Sequence, residues 1–183
     1  IKNCSVANPC TGGLTVGTES LGESEIQGVE IGLNTGFGGP AGTTWPLRLS
    51  YTWTDAEITA GTFDGNEVPY VAEHVGALNT TWDFGKGISA FAEYAWNGSR
   101  YALGDDANAY GRVDTEGVLN MALRWASGHW NATLRANNLN NEEYDSLTSI
   151  FEDYDPLTGN SYGVRSVYPA PERTMYLTLG YSL

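Results

Sequence analysis

The sequence predicts an all-β fold, an antiparallel up-and-down meander of about seven strands that forms part of a transmembrane β-barrel. Three observations lead there. Segment after segment alternates apolar with polar residues at a period of two, the signature of a strand with two unlike faces. The connections between these segments are alternately short and long. No stretch approaches the roughly 18 apolar residues of a membrane helix, yet the 183 residues are 41% hydrophobic and 12% aromatic with 23 Gly, a mixture that suits strands and turns. A mean hydropathy of −0.30 does not argue against a membrane, because alternation halves the apolar content of each strand.

Taken in order, residues 1–23 are polar, rich in Gly, Thr and Ser, and without periodicity; they read as a loop. The first strand starts at Ser24, with Val29, Ile31, Leu33 and Phe37 opposed to Gly28, Glu30, Gly32 and Asn34. After the turn at 38–44, Trp45 to about Glu57 sets Trp45, Leu47, Leu49, Tyr51 and Trp53 against Arg48, Ser50, Thr52 and Thr54. The third strand is expected from about Tyr70 to Phe84, and Gly85-Lys86-Gly87 makes a tight hairpin. The fourth puts Ile88, Ala90, Ala92, Tyr94 and Trp96 on one face, with Phe91 the exception among the polar residues opposite. The fifth carries Val113, Thr115, Gly117, Leu119, Met121, Leu123 and Trp125 opposite Arg112, Asp114, Glu116, Asn120 and Arg124. Trp130 to Asn137 follows the turn at 127–129. A polar, irregular stretch then leads to the last strand, where Met175, Leu177, Leu179, Tyr181 and Leu183 share a face.

Connections at 38–44, 85–87 and 127–129 are short, while those at 1–23, 61–69, 103–109 and 145–171 are long. Outer-membrane barrels join their strands by short periplasmic turns and longer extracellular loops. Counted back from a periplasmic C-terminus, every short connection falls inside and every long one outside. The predicted outward face carries few charges and has aromatics at its ends, as a lipid-facing band does. The inward face carries Glu30, Arg48, Glu93, Arg112, Asp114, Glu116, Arg124 and Arg135.

Three motifs carry a family resemblance. Asn138-Leu139-Asn140-Asn141-Glu142-Glu143-Tyr144 resembles the Asn-Leu-x-Asp/Asn-x-x-Tyr signature near the end of TonB-dependent outer-membrane receptors. Tyr168 to Tyr176 is similar to the segment leading into their final strand, with Glu172 where Gly is usual. Ile26-Gln27-Gly28-Val29-Glu30-Ile31 resembles a strand found well upstream in the same receptors. The chain closes on Leu183, where the family usually has Phe. The resemblance implies that residues 1–183 are the C-terminal portion of a barrel of about 22 strands, with the plug domain and earlier strands lying upstream. It implies a bacterial outer-membrane importer of ferric siderophores or a similar scarce nutrient, energised by an inner-membrane TonB complex through an N-terminal region absent here. The fragment would supply barrel wall and extracellular loops, and would not be an enzyme.

Charge and chemistry narrow the partners. Nine basic residues face 22 acidic ones, a net charge of −13, so a nucleic-acid partner is excluded for want of clustered Lys and Arg. Cys4 and Cys10 stand in a polar, Gly/Pro-containing segment; a small disulfide loop is the favoured reading and two free thiols the other. No catalytic constellation is found: His74 and His129 are far apart, and nucleophile-elbow, zinc-protease and phosphate-loop motifs are absent. No metal ligand set or cofactor is expected, although Asp105, Asp106, Asn108 and Asp114 could offer oxygen ligands to Ca²⁺ without the spacing of an EF-hand.

Arg100, Tyr101 and Arg112 flank the acidic loop at 103–109 on the outer side and are the candidate substrate-binding residues. Guanidinium forks suit carboxylates, so an anionic ferric siderophore is one expected ligand; the other role for the two arginines is to neutralise Asp105, Asp106 and Asp114. Two other architectures fit parts of the pattern: a small self-contained outer-membrane pore or adhesin of about eight strands, and a soluble ligand-binding β-barrel with its faces reversed.

Overall fold

The computed structural model describes residues 2–4, 13, 16–19 and 22–182. A small hairpin pairs β1 (Lys2–Cys4) with β2 (Gly17–Glu19) inside the segment expected to be loop. There follow β3 (Ser24–Gly38), β4 (Thr44–Ile58), β5 (His74–Gly85), β6 (Ile88–Asn97), β7 (Arg100–Tyr101), β8 (Arg112–Val113), β9 (Glu116–Ser127), β10 (Trp130–Asn137), β11 (Asp145–Tyr154), β12 (Ser161–Pro169) and β13 (Thr174–Tyr181). Among the described residues a seven-stranded sheet runs in the order β13-β10-β9-β6-β5-β4-β3, all antiparallel. The predicted meander of seven strands is thus the sheet observed.

Register fixes the faces. Leu33, Leu49, Leu78, Tyr94 and Leu119 lie directly opposite one another across five strands. One residue further along, Asn34, Arg48, Asn79, Glu93 and Asn120 form the matching row on the other face. Because side chains alternate strictly along a strand, the first row belongs to a continuous apolar face and the second to a continuous polar one. Glu30, Arg124 and Arg135 fall on the polar face, as expected. Phe91, opposite Thr81 and Ala122, does too.

Among the described residues nothing covers the apolar face: Leu177 and Leu179 in β13 are 67% and 68% exposed, and Ile31, Leu123 and Leu134 about half. Aromatics bound it at both ends. At the short-turn end Trp45 Nε1 donates to the Asp83 carbonyl at 3.0 Å, and Trp130 packs on Tyr181 at 4.8 Å between centroids. At the other end Trp53 Nε1 donates to Glu73 Oε1 at 3.1 Å, and Tyr51 meets His74 Nδ1 at 2.9 Å. From Trp45 to Trp53 the strand rises about 26 Å at ~3.3 Å per residue. Two glycines serve the aromatics: a Cβ on Gly76 would fall on the Trp96 ring, and one on Gly117 on the Tyr94 ring.

The three short connections close tightly. Gly85, Lys86 and Gly87 all have positive φ, which glycine adopts freely, and Asp83 Oδ1 accepts from Gly85 N at 2.8 Å. Gly128-His129 joins β9 to β10, and a 3-10 turn at Pro40–Gly42 joins β3 to β4.

Three expectations are corrected. The third strand starts at His74 rather than Tyr70: Tyr70 has φ +64 and its N–H bonds the Tyr101 carbonyl at 2.9 Å, away from the sheet. The fifth strand begins at Glu116, because Arg112 and Val113 pair instead with Tyr101 and Arg100; Arg112 and Asp114 therefore leave the polar face of the sheet. The stretch at 145–171, expected to be irregular, is the β11–β12 hairpin. Its alternation is between half-polar residues, so no apolar face betrays it.

Candidate binding site at the long-connection end

The long connections converge at one end of the sheet, where they build a small packed body. Ala102, Val113 and Ile150 form its buried cluster. Leu103 forms a parallel bridge to Ser149, its N–H bonding the Thr148 carbonyl at 3.0 Å and its carbonyl accepting from Ile150 N at 2.7 Å. Tyr110 lies where a side chain on Gly163 would stand, which ties β12 to the 102–111 loop. Asp105, 1% exposed, accepts from the N–H groups of Ala109 and Tyr110 at 2.8 and 3.0 Å. Its carboxylate is therefore spent on the loop's own backbone. Among the described residues no group of three or more His, Cys, Asp or Glu is placed to hold a metal ion.

The candidate substrate residues fall within this body, and their charge partners differ from those the sequence suggested. Arg100 donates to Glu116 Oε1 at 3.1 Å, both side chains 8% exposed, and its guanidinium lies 5.2 Å from the Tyr70 ring centre. Arg112 donates to Glu67 Oε1 at 2.8 Å, bonds Ser99 Oγ and the Ser99 carbonyl, and stacks 4.8 Å from the Tyr101 ring centre. The bond to Glu67 is the main cause that raises the Arg112 pKa above its ordinary value. Neither arginine is the partner of Asp105, Asp106 or Asp114 among the described ion pairs. A cavity of about 420 Å³, lined by Tyr70, Val75, Asn97, Arg100, Glu116 and Tyr144 among others, opens beside Arg100 on the polar side of the sheet.

Glu67, Glu116 and Tyr70 were missed as site residues. Their contacts span 16 to 45 positions, beyond any local pattern. The motif at 138–144 was noticed without its mechanism. Asn138, 4% exposed with φ +51, donates from Nδ2 to the carbonyls of Glu142 and Pro171 and accepts Glu142 N on Oδ1. Asn140 accepts Leu119 N and donates to the Gly117 carbonyl, at 2.9 and 2.7 Å. Asn141 Oδ1 accepts Arg173 N at 3.1 Å. Asparagine tolerates the left-handed backbone and mimics a peptide group, so the motif ties β9, β10 and the approach to β13 together. Cys4 is disulfide-bonded; Cys10, its expected partner, lies outside the described residues.

An open, one-sided apolar sheet with aromatic borders and sorted connections is the wall of a membrane-type barrel. The sequence matches the family described as TonB dependent receptor-like, beta-barrel, over residues 1–139, and the chain belongs to that family. The fold is similar to that of the siderophore receptor PiuA from Acinetobacter baumannii (TM-score 0.67, 21% identity, 87% of this chain and 22% of that one). It is also similar to the ferric yersiniabactin uptake receptor FyuA from Yersinia pestis (0.68, 18%, 88% and 24%) and to the copper transporter OprC (0.58, 16%, 87% and 24%). The chain thus spans about a quarter of the length of these structures. The family is one of outer-membrane receptors and transporters, not enzymes.

Proposed function

We propose that this chain is part of an outer-membrane receptor for energy-dependent uptake of a ferric siderophore or a similarly scarce nutrient, supplying barrel wall and extracellular loops. The observation that carries the reading is the seven-stranded sheet with one uninterrupted apolar face and its short and long connections sorted to opposite ends. Lipid takes the apolar face, which in water would be an exposed patch of prohibitive size, and the polar face lines a lumen. Among the described residues β3 and β13 stand at opposite edges with one neighbour each, so the sheet is open and needs further strands to close. Closure on itself as a small barrel is disfavoured for the same reason.

In this reading the long-connection end faces the cell exterior. Tyr101 and Arg112 form part of the substrate vestibule, and Arg100 braces it from behind through Glu116. Energy would come from a TonB complex engaging a segment outside residues 1–183. The test is uptake in the producing bacterium under iron limitation, with a panel of radiolabelled ferric complexes. Deleting the gene should abolish uptake of at least one complex, and a protonophore should do the same to the intact strain. Uptake that survives both treatments for every complex would refute the reading.

A further inference from the structure

The ribbon of β10 and β13 continues outward beyond the sheet as β11 and β12, joined at the junction by a bond from Ala170 N to the Tyr144 carbonyl at 2.9 Å. Leu103 takes the Thr148 carbonyl and the Ile150 N–H. β11 therefore stands on the side of the β7–β8 connection, and β12 continues the free edge of β13. The same two bonds fix where each backbone group points. Successive residues of a strand turn their N–H and C=O to opposite sides. Thr148 and Ile150 face away from β12, so Ser149 faces it, opposite Ser166. Val167 and Arg165, the partners of Thr148 and Ile150, and Gly163, the partner of Glu152, direct their N–H and C=O groups to the outer edge. Among the described residues β12 has β11 as its one strand neighbour. An open edge is a template for another strand, and proteins blunt one that stays free with charges, proline or bulges. β12 is hardly blunted: of its nine residues Arg165 alone is charged, and its proline, Pro169, is the last. Its pairing with β11 is regular from Leu147 to Tyr154. Tyr162, Val164, Val167 and Tyr168 are strand formers, and Tyr162, Val167 and Tyr168 are about half exposed.

We propose that the outer edge of β12 is a docking edge for the outward continuation of the strand that closes on β13, which adds a third strand to the β11–β12 hairpin outside the membrane. The proposal rests on the barrel reading above, in which that strand belongs to the same receptor and lies outside residues 1–183. The occupant follows from continuity: β12 prolongs the edge that the barrel must pair. The experiment follows hydrogen exchange, resolved to single amides, in the full receptor purified in detergent. With the edge occupied, Gly163, Arg165 and Val167 should exchange as slowly as Val164 and Ser166, which bond to β11. With the edge bare, protection would alternate residue by residue along β12. Val167→Pro removes an outward N–H and spares the bonds to β11. It should speed exchange at Arg165 roughly tenfold or more, as local opening does, and no change there would overturn the proposal. A benzophenone side chain placed at position 167 should photo-crosslink to the same polypeptide outside residues 1–183; a crosslink to a second copy or to another protein would also overturn it. Alternating protection in β12 beside uniform protection in β13 would sink the docking edge and leave the barrel reading in place. Alternating protection along β13 as well would count against the barrel reading, and the docking edge would fall with it.

Discussion

Arg100 and Glu116 meet at 3.1 Å, sixteen residues apart in sequence, with 8% of each side chain exposed. The pair joins the loop hairpin β7–β8 to the top of β9 and sits under the Tyr70 ring. Removing one partner of such a buried pair strands the other charge, at about 3–5 kcal/mol. Arg100→Ala and Glu116→Ala should each loosen the outer loops by about that much, and the double variant by less than their sum. Hydrogen exchange of residues 98–116 in the full receptor measures it. Additive losses would mean the two side chains do not interact in solution.

Asn138 should be equally sensitive for a different reason. Asn138→Ala keeps the left-handed backbone at a cost and deprives two carbonyls and one N–H of their partner; unsatisfied buried groups cost about 1–3 kcal/mol each. Asn138→Gly relieves the backbone only. Both should therefore destabilise the junction of β9, β10 and β13, Ala more than Gly, as read by the unfolding midpoint in detergent. A harmless Ala variant would deny the motif its clamping role.

How far the sequence disclosed all this follows from where each signal lives. The seven sheet strands were legible because one face of each meets an apolar phase, which leaves a period-two imprint. β11 and β12 pair as well, but only Thr148 and Ile150 of the two strands are buried, against the loop body, and no continuous apolar face results to leave such an imprint. The turn at Gly85-Lys86-Gly87 was legible from glycine chemistry, whereas Tyr70 gave no warning that it would take positive φ. The geometry of the candidate site was half legible. Arg100, Tyr101 and Arg112 do cluster, yet the partners that neutralise the arginines, Glu116 and Glu67, come from other connections. Proximity in sequence to Asp105 and Asp106 suggested the wrong acids, because Asp105 caps its own loop.

Asp155, at the tip of the β11–β12 hairpin, accepts from Thr158 Oγ1 at 2.7 Å and Leu157 N at 2.8 Å. These bonds, the threonine's first, hold its carboxyl below the ordinary aspartate range. A lowered folded pKa means that the contribution to tip order is present above the unfolded value of about 3.9 and is lost as pH falls through the folded one. Proteolysis at the tip by an acid-active protease should therefore rise as pH drops below about 4, and in Asp155→Asn it should lose that dependence. A variant that follows the same pH course would place the effect elsewhere.

The apolar face makes the most demanding prediction. Leu49 sits midway between Trp45 and Trp53, opposite Leu33 on one side and Leu78 on the other. Ser50, its neighbour, pairs with Gly32 and Ala77 on the polar face. If lipid covers the first face and water the second, Leu49→Arg must bury a cation near the bilayer midplane, at about 2–4 kcal/mol, while Ser50→Arg projects into the lumen and keeps its hydration. Folding titrations of the full receptor in lipid vesicles should show that loss for the first variant and little change for the second. The contrast isolates the environment, since the two sites share a strand, a depth and an introduced residue. Equal losses at both positions would mean that the two faces see the same medium, and the transmembrane assignment would fall.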